Sequence, residues 1–205
     1  KAYFPDWAGK WLINTHNGIR AQHVSRIDVV ADYKSVYKWL RQHQDKLEKR
    51  LDQGDHWTNL RNCAYIEEFE KPKIIYPNMT KFMPFVYDKG SFFTNQKCFI
   101  ITGDKLGYLT AFLNSTVFRF AFKEYFPELL GDTRELSKVF FETVSIKQVG
   151  DLMENEFVGL VNKVQDLKQK GANTGEVEIR IEKKIAELYG LSDDEIEIIQ
   201  NEVSL

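Results

Sequence analysis

Gly107-Tyr108-Leu109-Thr110-Ala111-Phe112-Leu113-Asn114-Ser115-Thr116-Val117-Phe118-Arg119-Phe120-Ala121-Phe122-Lys123-Glu124-Tyr125 is the densest apolar stretch of this chain. Its apolar residues recur at helical spacing, which predicts helix with an interruption at Asn114-Ser115. Eleven of the fifteen phenylalanines lie between Phe69 and Phe126, so the main core is expected there. Upstream of this stretch the pattern is β-like and broken by Pro and Gly, at residues 63–69, 73–76, 85–87 and 92–102. Those runs predict an irregular, largely antiparallel sheet, and residues 139–146 predict one more short strand.

Toward the start of the chain, Trp11-Leu12-Ile13-Asn14-Thr15-His16 is expected to be a strand entering a turn at Asn17-Gly18, with a second strand at residues 27–30. Tyr33, Val36, Tyr37, Leu40, Leu47 and Leu51 follow helical spacing, and Lys34, Lys38, Arg41, Lys46, Lys49 and Arg50 occupy the rest of that segment. Asp32 is the expected N-cap, and Gly54 lies beyond the helix end. At the other end, Leu152, Phe157, Leu160, Val161, Val164 and Leu167 form one helix face, and Val177, Ile181, Ile185 and Leu188 form another. Ser192 with Glu195 has the spacing of a capping box that starts a last helix. The fold class expected is α+β: an irregular mixed or antiparallel sheet body with packed helices and a C-terminal helical hairpin. The division expected is a body over 1–150, with the hairpin and terminal helix of 151–205 docked on it.

The chain has 205 residues, 43% hydrophobic, 28% charged and 14% aromatic, which excludes a disordered or collagenous chain. No apolar run approaches the roughly 20 residues of a membrane span, and no signal-peptide core opens the sequence. It reads as a piece of a longer protein. Cys63 and Cys98 are too few for a disulfide framework or a four-cysteine zinc site, so a cytoplasmic setting is expected. Charge is uneven. Lys and Arg number 22 against 17 Asp and Glu over residues 1–150, and 6 against 13 over residues 151–205. A basic body suits a polyanion and an acidic tail suits protein contact.

Catalytic chemistry is mostly excluded. There is no Gly-x-Gly and no Pro-Pro, so a glycine-rich nucleotide loop and the base-pocket motif of amino-methylating enzymes are both missing. Glu182-Lys183-Lys184 sits in an amphipathic helix where surface ion pairing explains it. His16, His23, His43 and His56 have no metal-ligand spacing. The sequons at Asn78 and Asn114 have no secretion signal to give them meaning. No catalytic residue, metal ligand or cofactor site is expected in this segment.

Trp57-Thr58-Asn59-Leu60-Arg61-Asn62-Cys63-Ala64-Tyr65 is followed by Phe69-Glu70-Lys71-Pro72-Lys73-Ile74-Ile75-Tyr76-Pro77 and by Phe92-Phe93-Thr94-Asn95-Gln96 with Cys98-Phe99-Ile100-Ile101. Then come Tyr108-Leu109 with Leu113-Asn114-Ser115, and finally Leu188-Tyr189-Gly190-Leu191 with Asp194-Glu195-Ile196. In this order the motifs, with the opening Trp11 to Gly18, resemble the TaqI-like C-terminal specificity domain of type II restriction–modification enzymes and adenine-specific DNA methyltransferases. The resemblance covers nearly the whole chain. It implies a DNA methylase specificity domain-like architecture and a bacterial target-recognition module. Double-stranded DNA is the implied partner, together with an adenine-N6 methyltransferase domain upstream in the same protein. S-adenosylmethionine and Mg2+ would belong to those missing domains, which include any fused endonuclease.

Such a module needs cations for phosphates and amide or guanidinium groups for base edges. Lys71, Lys73, Lys81 and Lys97 are the expected phosphate contacts. Asn78, Thr80, Asn95 and Gln96 are the expected base readers, with Asn59 and Arg61 as a second group. Most aromatics are expected in the core, with Trp57 and Tyr76 as the more exposed exceptions. The competing function is a protein-interaction or scaffold domain acting through the acidic helical tail.

Overall fold

The structure is a computed structural model that describes residues 3–5, 7–19, 22–90 and 92–204. The chain divides into two compact units, one of Ala8–Glu67 and one of Lys1–Trp7 with Glu68–Leu205. The helices beyond residue 150 therefore fall within the larger unit.

The smaller unit contains α1 (Val29–Asp32), α2 (Lys34–Leu40) and α3 (Gln44–Glu48), with a 3₁₀ turn at Arg41–His43 between the last two. The strands expected at residues 11–16 and 27–30 do not form. Val29 and Val30 are helical because the Asp28 carboxylate accepts the N–H groups of Val30 and Ala31, both at 3.1 Å, and so starts α1. Asp32, the expected cap, is the last residue of α1, and α2 begins after Tyr33 with no side-chain cap. Thr15 and His16 do find backbone partners, Leu60 at 2.9 Å and Ile27 at 3.1 Å, but only singly. The turn at Asn17-Gly18 is present, with Gly18 at φ +85, where an added Cβ would stand 2.8 Å from the Val24 carbonyl oxygen.

The larger unit is built on β1 (Lys73–Pro77), β2 (Met79–Thr80), β3 (Val86–Asp88) and β4 (Cys98–Thr102). Strand β1 is central and antiparallel to both β3 and β4, so the expected antiparallel sheet forms, although residues 63–69 are a turn and a 3₁₀ segment. Next come α4 (Leu106–Leu113) and α5 (Thr116–Tyr125), interrupted where expected, and Ser115 caps α5 by accepting the Phe118 N–H at 3.2 Å. The short strand β5 (Arg134–Glu135) pairs with β2. Residues 139–146, expected as a strand, instead contain α6 (Lys138–Phe141). A helical turn lets Phe140 and Phe141 both reach Phe126, which successive residues of a strand, pointing to opposite faces, would not.

Three helices close the chain: α7 (Asp151–Gln169), α8 (Gly175–Tyr189) and α9 (Asp193–Ser204). The capping box at α9 is real, with the Glu195 carboxylate accepting from Ser192 N–H at 2.8 Å and the Ser192 hydroxyl accepting from Glu195 N–H. Phe157, Leu160, Val161 and Val164 of α7 join Val177, Ile181 and Ile185 of α8 in one core with Phe85, Phe112 and Phe118. Edge-on pairs such as Phe85 with Phe118 and Phe141 hold it, each worth about 0.5–1.5 kcal/mol beyond the area buried. Helices α4 and α7 approach closely because residue 107 is glycine: a Cβ there would lie 2.3 Å from Val158 Cγ2 and 2.9 Å from its backbone nitrogen.

The acidic tail is partly consumed in this docking. Glu154 of α7 accepts the N–H groups of Gly107 and Tyr108 at 2.8 Å, and Glu182 of α8 accepts the Thr116 N–H at 3.0 and 3.1 Å. Each carboxylate thus satisfies the electropositive start of a helix in another part of the fold. Burial pushes the Glu182 carboxyl above its ordinary value, against the opposing effect of the Thr116 hydrogen bonds. Lys105 pairs with Asp151, and Lys184 pairs with Glu156.

Candidate nucleic-acid interface

One end of the three-stranded sheet gathers most of the residues expected to meet DNA. Because β1 and β4 are antiparallel with Pro77 opposite Cys98, the segment after β1 and the segment before β4 share that end. Asn78 joins them: its N–H donates to the Lys97 carbonyl at 2.9 Å, and its own carbonyl accepts from Leu136 at 2.9 Å. In the neighbouring turn the Asn95 side chain accepts the Lys97 N–H at 2.9 Å, which turns Gln96 and Lys97 outward. Strand β2 follows directly from Asn78. There the Thr80 hydroxyl donates to the Phe82 carbonyl at 2.9 Å and accepts the Phe82 N–H at 3.0 Å. That local turn projects Lys81 and Phe82 into solvent.

Asn78, Lys81, Gln96 and Lys97 are therefore presented together. Neither Lys81 nor Lys97 has an ion-pair partner among the described residues. Thr80 is buried with its hydroxyl used inside the turn, so it shapes the loop, whereas Asn95 is exposed with its side-chain oxygen taken by the Lys97 N–H. The strand pair also exposes apolar residues that sequence reading passed over: Phe82 is 73% and Leu130 97% exposed. The Lys81 ammonium lies 3.6 Å from the point where a Cβ would stand on Gly131, which brings these two loops side by side. Opposite Thr80 in the strand pair, Arg134 donates to the carbonyls of Lys123 at 3.1 Å and Phe126 at 2.5 Å, closing the C-terminal end of α5. Met79 is outside where Thr80 turns in, as strand alternation requires.

Three expectations fail for physical reasons. Lys73 is not a phosphate contact: it is 0% exposed, and its ammonium is held by the Asp88 carboxylate and the Phe69 carbonyl. The register places Lys73 directly opposite Asp88, and Asp88 also accepts the Phe92 N–H at 3.0 Å, so the pair locks the β1–β3 end of the sheet. Five residues of strand separate that end from Asn78, roughly 13 Å from Lys73 to Pro77. Lys71, at the same far end, is exposed and paired with Glu68 at 2.6 Å. Tyr76, expected to be exposed, is buried against Phe85, Phe99 and Phe141, and burial pushes its hydroxyl up to about 12.

The third is Asn59, in the smaller unit. It is 0% exposed and donates to the carbonyls of Ile27 at 2.9 Å, Thr15 at 3.3 Å and His16 at 3.4 Å, while accepting from Arg26 at 3.2 Å. An amide with that set of partners is the hub of its unit and has nothing left for a base. Arg61 is exposed and paired with Asp52 at 3.0 Å. Trp57 is half-buried, near Tyr37 with ring centroids 5.9 Å apart.

Among the described residues no cluster of His, Cys, Asp and Glu could hold a metal ion, and no helix is long and apolar enough to cross a membrane. An α+β body with a docked helical hairpin and a paired set of polar, cationic loops defines a recognition module built on a rigid scaffold. The family model of the TaqI-like C-terminal specificity domain matches residues 20–146, which is more than half of the chain and takes in parts of both units. The chain belongs to that family, whose domains supply DNA recognition in restriction–modification enzymes and are not their catalytic part. The curated proteins contain no match to it.

Proposed function

We propose that this chain reads a DNA word for an adenine-N6 methyltransferase carried upstream in the same bacterial, cytoplasmic protein, which would bind S-adenosylmethionine. The observation that carries the reading is the convergence of Asn78, Lys81, Gln96 and Lys97 at one end of the sheet in a member of the specificity-domain family. Asn78 and Gln96 are the base readers, since an amide pairs bidentately with adenine. Lys81 and Lys97 hold phosphates. Lys71 and Arg61 already hold carboxylates, so either would exchange one anion for another on meeting DNA. The competing role for the acidic helices, a protein-binding surface, is weakened by the inward use of Glu154 and Glu182.

Fluorescence anisotropy of the chain with a random-sequence duplex, titrated across salt, tests the reading. Binding should fall log-linearly with salt, and K81Q/K97Q should lower the slope by about two units. Salt-independent binding, or none, would remove the proposal.

A further inference from the structure

The cations of the smaller unit form a surface that the loop end of the sheet does not include. Across α2, the 3₁₀ turn and α3, the buried or half-buried residues are Val36, Tyr37, Leu40, Gln44 and Leu47. Lys34, Lys38, Arg41, Lys46 and Lys49 are all exposed. Lys34 with Lys38 and Lys38 with Arg41 are helix neighbours by spacing, as are Lys46 and Lys49, and like charges so placed disfavour the helix. None of the five has an ion-pair partner among the described residues.

The start of α2 also runs against the helix dipole. The first turn of α2 begins at Lys34, holds no acidic residue, and has no side-chain cap. The helices of the tail obey the opposite rule: α7 opens with Asp151 and Glu154, α8 with Glu176 and Glu178, and α9 with Asp193, Asp194 and Glu195. Arg41 lies over the Tyr37 ring, 6.0 Å from its centroid, while Lys34, Lys38, Lys46 and Lys49 make no ion pair among the described residues.

We infer that this segment is a second phosphate-binding surface, which tracks the backbone of duplex DNA without reading its sequence. Residues 34–48 span at most about 22 Å as helix, the rise of roughly six base pairs. A row of ammonium groups over that length neutralises successive phosphates, and the repulsion within the row is relieved when it does so. Trp39, half exposed and edge-on to His43 at 4.9 Å, adds an indole N–H donor beside the row. The inference rests on the DNA-reading proposal and adds to it a non-specific grip carried by the other unit.

The test uses the whole chain and a random-sequence duplex, followed by anisotropy from low to physiological salt. K34Q/K38Q/K46Q/K49Q should lower the slope of log affinity against log salt by about three to four units, whereas K34R/K38R/K46R/K49R should keep it within one unit of wild type. The glutamine variant should melt at the same temperature as wild type or higher, because repulsion has been removed. An unchanged slope in the glutamine variant, a lost slope in the arginine variant, or a glutamine variant that unfolds would each overturn the inference. If K81Q/K97Q lowers the slope and the helix variant does not, the loop reading stands and this one falls. A wild-type chain that binds no duplex removes both.

Discussion

The two units of this chain are held together by different forces. In the larger, rings do most of the work: Phe85, Phe112, Phe118 and Phe126 are packed with the inner faces of α7 and α8. In the smaller, the fully buried set includes Val29 and Asn59, and the amide of Asn59 ties three backbone carbonyls that no strand ladder satisfies. The smaller unit also leaves Trp11 85% and Leu51 102% exposed. An aromatic core tolerates polar loops at its edge, because the scaffold does not depend on them. A unit built on one amide hub has less to spare, so its polar residues are framework first.

The sharpest way to break this contrast is to attack the buried ion pair of the larger unit. Lys73→Ala leaves the buried Asp88 carboxylate uncompensated and should cost about 3–5 kcal/mol in denaturant unfolding. A loss below 1 kcal/mol would mean that water or another cation takes over Asp88, and that the sheet end is looser than its packing indicates. Asn59→Ala should cost about 1–3 kcal/mol, the penalty of carbonyls buried without donors. Hydrogen exchange should show that loss in residues 8–67, with little change in the amides of α4 and α7. Protection lost equally across both units would show that the hub and the aromatic core fold as one.

A smaller effect comes from Glu182, whose carboxyl burial raises above its ordinary 4.5. The folded state then binds this proton more tightly than the unfolded state, so the contribution of Glu182 becomes less favourable as pH rises through the range above 4.5 and more favourable as pH falls toward it. Relative to Glu182→Gln, wild type should therefore gain in melting temperature as pH is lowered from about 7 to about 5. The opposite trend would show that the hydrogen bonds from Thr116 outweigh burial. The smallest effect on stability is expected at Gln96, exposed in its turn. Gln96→Ala should shift unfolding by less than about 0.5 kcal/mol. In the full-length protein the same change should alter base preference by about 1–3 kcal/mol, measured by selection of methylated sites. An unaltered preference would move Gln96 to the framework.

Much of the larger unit was legible along the chain, because its signals are local. The break at Asn114-Ser115, the capping box at Ser192 and Glu195, and the two helix faces of the tail each depend on residues within a few positions of one another. The smaller unit was misread for the same reason. Residues 11–16 have β-like composition, but the Asn59 amide takes the Thr15 and His16 carbonyls from 44 and 43 positions away, and Asp28 turns Val29 and Val30 into helix. The candidate site divides the same way. Gln96 and Lys97 sit in a turn marked by Asn95, whereas Lys73, two positions from the exposed Lys71, is buried because it enters β1 opposite Asp88.

The sequence by itself determined the fold class, the family, the placement of the aromatic core and the helical nature of the acidic tail, because periodicity and motif order are properties of neighbours. Only the tertiary structure decided which polar residues face solvent. Strand register put Asp88 against Lys73, and antiparallel pairing carried Gln96 and Lys97 to the side of Asn78. Docking turned Glu154 and Glu182 inward onto helix starts. Burial of a charge or an amide depends on a partner far away in sequence, and no local pattern encodes which partner that is.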